Sequence, residues 1–410
     1  MTEAREKTMR EKNTREKNTR ETWITGIGIV SCLGEGADAH WQRLSAPTPN
    51  TDNTAFAPYV LHRIVPLDLD KQIPKKGDQR QMEPWQRIGT YAAGLALDSA
   101  GVKGKSELLA RMDMIVAAGG GERDANVDIA VAAGVDKAAN PEAFVNERLM
   151  NDLRPTLFLA QLSNLLAGNI SIVHGVTGSS RTFMGEEQAG VDAVRVAHVR
   201  IAAGQSDLAL VGGAYNAERW EVVLHYAMGR CLARGEHTGV WERPHGGMEL
   251  GTLGAFLVLE ERGHALARGA KPLARVAAVA SDHVKRTPGA VTAALERMWG
   301  AVAPRLDPAR AAVISGATGV APATGEERVF LRQHPDLAVR ASATHLGHGL
   351  EPQFPANIAL AAISLQAGKL FPPCDKSGVE RPMEGPLAQV VVTSIGHWRG
   401  EGLALIEAVG

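Results

Sequence analysis

The sequence predicts an α/β protein made of two similar halves, on the basis of three features. Apolar segments that run into glycine-rich turns have the character of strands, as in residues 23–31 and 112–118. Residues 188–203 are mostly small and apolar on nearly every side, which is typical of a buried helix. A weaker copy of the same order follows after residue 270.

The first half begins with the strand over residues 23–31 (W-I-T-G-I-G-I-V-S), and the second strand over 112–118 enters the glycines at 119–121. The helix over 188–203 is followed by residues 207–214 (D-L-A-L-V-G-G-A). This continuous apolar run suits a strand that is covered on both faces.

The second half repeats the plan with a strand, an amphipathic helix, a strand, a small-residue helix and a strand, predicted over residues 273–281, 287–302, 311–315, 356–365 and 389–394. Identity between the halves is faint, so the internal duplication rests on the order of elements. We place the first half at residues 23–268 and the second at 269–410.

Residues 1–22 differ from the rest of the chain. The sequence R-E-K-N-T-R occurs twice, and almost every residue is polar or charged. Such a segment cannot bury a face, so we predict a disordered tail, with a short charged helix formed against a partner as the alternative.

Composition excludes several classes of function. The net charge of −1 gives no basis for binding nucleic acid or a membrane surface. Three dispersed cysteines (Cys32, Cys231 and Cys374) form no disulfide framework, which favours the cytoplasm. No apolar run approaches the roughly 20 residues of a membrane span, and the start of the chain lacks a signal-peptide pattern.

Residues 175–194 (G-V-T-G-S-S-R-T-F-M-G-E-E-Q-A-G-V-D-A-V) resemble the nucleophile turn of β-ketoacyl-acyl-carrier-protein synthases. Further segments resemble that family in the same order along the chain, at residues 24–34, 164–175, 204–214 and 251–268. The resemblance covers most of residues 23–410. It implies a thiolase-like fold, in which the two duplicated halves form five alternating layers of helix and sheet.

The resemblance also implies that the catalytic cysteine is missing. Counting from Gly178 and Gly190, the nucleophile position holds Glu187, or Gln188 if the register shifts by one. Neither side chain is a thiol. A carboxylate at a helix N-terminus is stabilised by the helix dipole and can occupy an oxyanion hole, but it does not form a stable acyl-enzyme.

The other catalytic positions of the family are also altered. The first histidine position corresponds to Ala317, in residues 315–319 (S-G-A-T-G), and the lysine position to Ala343. The second histidine is retained as His348, and the loop that frames the site corresponds to residues 396–401. We therefore expect a degenerate site with no catalytic residue.

Two pairs of residues allow other interpretations. Glu186 and Glu187 are an acid/base pair only if both side chains converge, which adjacent turn residues seldom do. His345 and His348 have an H-x-x-H spacing that can ligate a metal, but no third ligand is evident nearby. We favour His348 as a structural histidine that bonds the region of Glu187.

Five more residues have open roles. His397 and Trp398 either seal the degenerate site or belong to ordinary loop packing. Cys231 lies in a helix-like run over residues 224–233, and we predict a buried small side chain rather than a relocated nucleophile. Arg195 and Arg200 are solvated, paired with an acid such as Asp192, or directed at a partner.

The E-Q-A-G-V-D run at residues 187–192 is similar to that of chain-length factors of type II polyketide and aryl-polyene systems. The resemblance implies a non-catalytic subunit that pairs with an active ketosynthase, meets an acyl carrier protein and shapes the tunnel for a growing polyketide, polyene or fatty acyl chain. Alternatives are a malonyl-carrier-protein decarboxylase or priming factor, and a stand-alone protein that binds acyl chains or carrier protein. We assign no cofactor and no metal.

Overall fold

The computed structural model describes residues 20–45, 49–155 and 157–410. Most of the predicted tail, residues 1–19, lies outside the described residues. Its last residue, Thr22, already belongs to the first strand.

The thirteen strands of the described chain include every strand predicted from the sequence, with ends displaced by no more than one residue. They are β1 Thr22–Ser31, β2 Gly34–Glu35, β3 Leu61–His62, β4 Asp113–Ala117, β5 Ser180–Phe183, β6 Leu208–Tyr215, β7 Leu250–Gly251, β8 Leu253–Glu261, β9 Ala274–Asp282, β10 Ala311–Ser315, β11 Ala338–Ala341, β12 Gln389–Ile395 and β13 Glu401–Glu407.

The α-helices of the described residues are α1 Gly36–Leu44, α2 Lys76–Gln81, α3 Pro84–Ser99, α4 Ser106–Leu109, α5 Ala125–Gly134, α6 Pro141–Asp152, α7 Leu157–Ala160, α8 Leu165–His174, α9 Glu187–Ala202, α10 Trp220–Met228, α11 Arg262–Ala267, α12 Ala290–Trp299, α13 Ala323–Arg332, α14 Ala343–Leu346 and α15 Gln353–Gln366. The helices predicted over residues 188–203, 287–302 and 356–365 correspond to α9, α12 and α15. None of the described helices has both the length and the apolar character needed to cross a membrane.

The sheet supports the predicted duplication. Its strands lie in the order β11-β10-β12-β13-β9-β1-β8-β6-β4-β5. The main strands of the first half are β1, β4, β5, β6 and β8, and those of the second half are β9 to β13. From the outer edge inward, each half has its own third, second, fourth, fifth and first strand in that order. The halves join where β1 pairs with β9 over Thr22–Ile24.

Apolar cores lie on both sides of the sheet, as a layered α/β fold requires. The central core contains the buried helices α9 and α15, packed between the two halves. One outer core lies under α3 and α8, and the other under α12 and α13. The predicted thiolase-like arrangement of alternating helix and sheet layers is therefore correct.

Helix α9 lies close to the turn before α15 because of one glycine. A Cβ atom built on Gly190 would lie 2.3 Å from the carbonyl oxygen of Glu351, so only glycine permits this approach. The contact holds the first turn of α9 beside the segment that carries His348.

Candidate functional site

A tight turn between β5 and α9 positions Glu187. Gly185 and Glu186 have positive φ angles of 131° and 56°, and α9 begins at the next residue. Positive φ at a residue other than glycine costs about 1–3 kcal/mol and persists only where the surrounding structure holds it. Glu187 is thereby fixed in the first turn of a buried helix, where the helix dipole favours a negative charge.

Two histidines from the second half converge on Glu187, which is 1% exposed. The Nε2 atom of His348 lies 2.7 Å from Oε1 of Glu187, the contact expected from the sequence. His397 bonds the same oxygen twice, through its backbone N–H at 3.1 Å and Nδ1 at 2.8 Å. Within the described chain, Oε2 of Glu187 has no hydrogen-bond partner.

The site holds Glu187 as an anion. Burial alone would raise its pKa, but the charge of His397 and the hydrogen bonds of His348 and His397 outweigh burial and hold that pKa well below its usual range. Burial likewise works to lower the pKa of His397, yet the charge of Glu187, bonded to its ring, makes the net shift upward. The arrangement is a buried carboxylate–imidazolium pair, and no thiol or hydroxyl among the described residues bonds to Glu187.

The two alanines predicted at catalytic positions lie in the apolar core of the second half. Ala317 and Ala343 are 0% and 1% exposed. The backbone N–H of Ala317 bonds the hydroxyl of Ser315 at 3.0 Å. Neither alanine supplies a side-chain donor or a cation.

Glu186 and Glu187, the possible acid/base pair, have different hydrogen-bond partners in the structure. Glu186 accepts a hydrogen bond from Tyr226 at 3.2 Å, whereas Glu187 points to His348. The Oε1 atom of Glu186 also lies 3.7 Å from His397 Nε2, and the donor atoms of Glu186, Glu187 and His397 are close enough for a shared cation. The ion pairs of His397 with Glu186 and Glu187 already neutralise part of the negative charge of the two carboxylates.

The two histidines of the H-x-x-H spacing face different neighbours. The ring of His345 lies edge-on to Phe371 at 5.6 Å, whereas the ring of His348 bonds Glu187. In the framing loop, His397 covers Glu187, but Trp398 is 69% exposed. Of these two loop residues, only His397 therefore seals the site.

Cys231 and the two arginines also receive definite positions. The helix-like run predicted over residues 224–233 is wrong at its end, because α10 stops at Met228 and Arg230 adopts a φ of 56°. Cys231 is half-buried rather than buried, and burial raises the pKa of its thiol, which disfavours a nucleophile. Arg195 pairs with Asp192 at 3.2 Å and stays 38% exposed, whereas the less exposed Arg200 pairs with Asp113 at 2.9 Å. Both arginines are therefore paired with an acid, and Arg195 is solvated as well.

A cavity of about 420 Å³ adjoins the site beside Glu186. Its wall includes the glycine turn 119–121, Tyr215 and Glu351. Burial, reinforced by the charges of Glu187 and Glu186, raises the pKa of Glu351 to about 7. The Tyr215 hydroxyl and Oε2 of Glu351 are buried without a partner among the described residues. Sequence analysis missed Glu351 because no motif marks it, and only its packing against α9 makes it unusual.

Comparison with known proteins identifies the family of this chain. The profile of the family described as "Beta-ketoacyl synthase, N-terminal domain" matches residues 19–265. The chain therefore belongs to the β-ketoacyl synthase family.

Individual relatives are distant. The chain is 25% identical over 264 residues to the 3-oxoacyl-[acyl-carrier-protein] synthase 2 of Vibrio cholerae, covering 62% of this chain and 61% of the relative. It is 26% identical over 261 residues to Nodulation protein E of Rhizobium leguminosarum bv. trifolii, covering 62% of each. The match thus spans about three fifths of these curated relatives.

Solved structures match almost the whole chain in fold. The ishigamide ketosynthase/chain length factor superposes with a TM-score of 0.78 at 18% identity, covering 96% of this chain and 100% of that one. A β-ketoacyl synthase from Burkholderia phymatum gives a TM-score of 0.75 at 17% identity, covering 95% and 100%. At these identities the likeness concerns the fold alone.

Proposed function

We propose that this protein is a non-catalytic, chain-length-factor-like subunit that pairs with an active β-ketoacyl synthase. The observation that carries the proposal is the ion pair of Glu187 with His397, which fills the position that we assign to the family's nucleophile. Residues that act as one catalytic unit lose function together, so the apolar Ala317 and Ala343 weaken any residual condensation further.

The cavity beside the site supports a role in holding a chain. It opens next to Glu186 and is lined by apolar groups such as Leu350 and Val222 together with the polar ends of Tyr215 and Glu351. Mixed lining of this kind suits an acyl chain that carries carbonyl or hydroxyl groups. In the proposed pair, the cavity forms part of the tunnel that receives the growing polyketide, polyene or fatty acyl chain from its carrier protein.

Two exposed features support a partner of the same fold. Strand β5 is an edge of the sheet, and Met184 directly after it is 65% exposed. Helix α10 exposes Trp220, Leu224 and Met228 by 55%, 59% and 77%, at a spacing that puts them on one helical face. We propose that an active ketosynthase covers both surfaces, and obligate interfaces of this kind exceed about 2,000 Å².

Co-expression with a cysteine-bearing ketosynthase from the same genome tests the proposal. The expected result is a one-to-one complex on size-exclusion chromatography whose malonyl-extension activity disappears when the partner's cysteine is replaced. A lone homodimer that decarboxylates malonyl-carrier protein, and loses this activity in Glu187→Ala, would overturn the proposal in favour of an enzyme.

A further inference from the structure

A second buried cluster of titratable side chains lies next to the segment that carries His348. The Nε2 atom of His62 and the Nδ1 atom of His237 lie 3.0 Å and 2.6 Å from the same oxygen, Oε2 of Glu249. The side chains of His62 and Glu249 are 0% and 1% exposed, and that of His237 is 20% exposed. Their donor atoms all lie within 4.8 Å of one another.

The hydrogen bonding of His62 leaves one contact unexplained. Its Nδ1 atom lies 3.1 Å from the carbonyl oxygen of His345, which can only accept, so Nδ1 carries the ring proton. A neutral His62 then directs the lone pair of Nε2 at a carboxylate oxygen of Glu249, and two acceptors do not attract. The contact requires either a second proton on the ring or a cation that both atoms share.

The orientation of the His62 ring fits a shared metal cation. The ring is fully buried, and its Nδ1–H is taken up by the carbonyl oxygen of His345, so only Nε2 faces Glu249. An imidazole with one nitrogen free and the other donating to a carbonyl is the usual orientation of a metal-ligating histidine, since the carbonyl fixes the tautomer and the direction of the ring.

We infer that His62, His237 and Glu249 form a binding site for a divalent transition metal, with Zn²⁺ the ion that suits this donor set best. Two imidazole nitrogens and one carboxylate oxygen are a known zinc ligand set, with water in the fourth position. The partial exposure of His237 gives the ion a route of entry and leaves room for that water.

Arg243 is the competing cation at this cluster. Its Nη2 atom lies 3.4 Å from Oε2 of Glu249, longer than a hydrogen bond of ordinary strength. Nη1 of Arg243 bonds the carbonyl oxygens of Gly247 and Thr318 at 2.8 Å and 3.3 Å. A metal on Glu249 would therefore share that carboxylate with the guanidinium and leave the two bonds of Nη1 in place.

The position of the cluster assigns the metal a bracing role. The backbone N–H of His348 bonds the carbonyl of Glu249 at 2.7 Å, and His62 bonds α14 through His345. The three ligands come from β3, the loop before Val240–Glu242 and the residue before β7. One ion would thus connect three separate segments to the backbone that holds His348 against Glu187.

The test uses the full chain, stripped with a chelator and then dialysed against Zn²⁺. Elemental analysis is expected to give one zinc per chain, and the thermal midpoint is expected to rise by at least about 3 °C with saturating metal. Co²⁺ in place of Zn²⁺ is expected to give the visible absorption of a low-symmetry site in the wild-type chain, a readout that needs no variant.

His237→Ala is the informative variant, because this ligand lies on a half-exposed loop and its loss leaves the buried pair intact. We expect zinc affinity to fall at least tenfold and the thermal shift to disappear. His264→Ala is the matched control. His264 also bonds a glutamate, Glu260, at 2.6 Å, but within the described chain it belongs to no cluster of possible metal ligands. Equal zinc content in wild type and His237→Ala, or no thermal shift in wild type, would overturn the inference and leave a protonated histidine–carboxylate network.

Discussion

Oε1 of Glu187 and Nε2 of His348 lie 2.7 Å apart, although the two residues belong to different halves of the chain. The carboxylate thus directly engages the histidine that we assign to the family's second histidine position. Because His397 bonds the same oxygen, the first turn of α9, the segment before α15 and the loop between β12 and β13 meet at one buried charge. This relationship makes Glu187 a structural residue at the junction of three segments.

Replacing Glu187 should therefore destabilise the protein. Glu187→Ala leaves the N–H groups of His348 and His397 without an acceptor, and we expect the free energy of unfolding to fall by about 3 kcal/mol. Glu187→Gln keeps an acceptor and should cost about half as much. Urea denaturation followed by circular dichroism measures both, and Glu384→Ala, at an exposed glutamate, should change stability by less than about 0.5 kcal/mol. An unchanged midpoint in Glu187→Ala would contradict a structural role.

Restoring a thiol should not restore catalysis. In Glu187→Cys the thiolate would stand at a helix N-terminus and react with iodoacetamide. We nevertheless expect no condensation product, because Ala317 and Ala343 supply neither a hydrogen-bond donor nor a cation. A malonyl-extension assay of the isolated variant, run beside an active ketosynthase as positive control, checks this expectation. Turnover by the single variant would show that the rest of the site is still competent.

Glu351 should make stability depend on pH. Its pKa in the folded protein is raised to about 7 from the usual 4.5, so the folded protein keeps its proton while the unfolded chain has lost it. The contribution of Glu351 to the free energy of unfolding is fully present below pH 4.5 and is lost as pH rises to about 7. The upper bound of this loss is about 3 kcal/mol. Glu351→Gln should flatten the stability curve over this range, measured by urea denaturation at several pH values. A variant whose curve stays parallel to that of wild type would refute the assignment.

The cavity should limit chain length in the proposed pair. Gly120 lines it, and a Cβ atom built there meets no atom within 4 Å, so a large side chain can project into the cavity without moving the backbone. Gly120→Trp is expected to shift products of the reconstituted pair to shorter chains by at least one extension cycle, read by mass spectrometry. Gly77→Trp is the control, because its position is equally open but lies outside the cavity. Products of unchanged length would exclude this cavity from the tunnel.

The edge of β5 should be required for partner binding. The carbonyl oxygens of Ser179 and Phe183 accept hydrogen bonds from β4 and the residue after it, at 2.8 Å and 3.0 Å. Thr182 lies out of that alternation, so its N–H points to the free edge. Thr182→Pro removes this donor without breaking the pairing with β4, and we expect loss of the complex on size-exclusion chromatography. Thr182→Ala keeps the donor and should still assemble; assembly of the proline variant would place the interface elsewhere.

The sequence by itself determined the strands, the buried helices and the doubled order of elements, because apolar periodicity and glycine turns are local properties. It also predicts that the family's nucleophile position holds no thiol, since this prediction needs only a register against the glycines at 178 and 190. The end of α10 was missed, because the left-handed conformation of Arg230 leaves no mark in the apolar pattern.

Only the tertiary structure decided what the side chains do. His397 bonds Glu187 although the two residues are 210 positions apart in the sequence. Glu351 has an unusual pKa because it is buried near two carboxylates. His62 meets His237 and Glu249, which lie far from it in the sequence. These relationships depend on long-range packing, and burial then sets which groups carry charge. The amino-acid sequence names the residues of the site, whereas the fold brings them together and fixes their protonation.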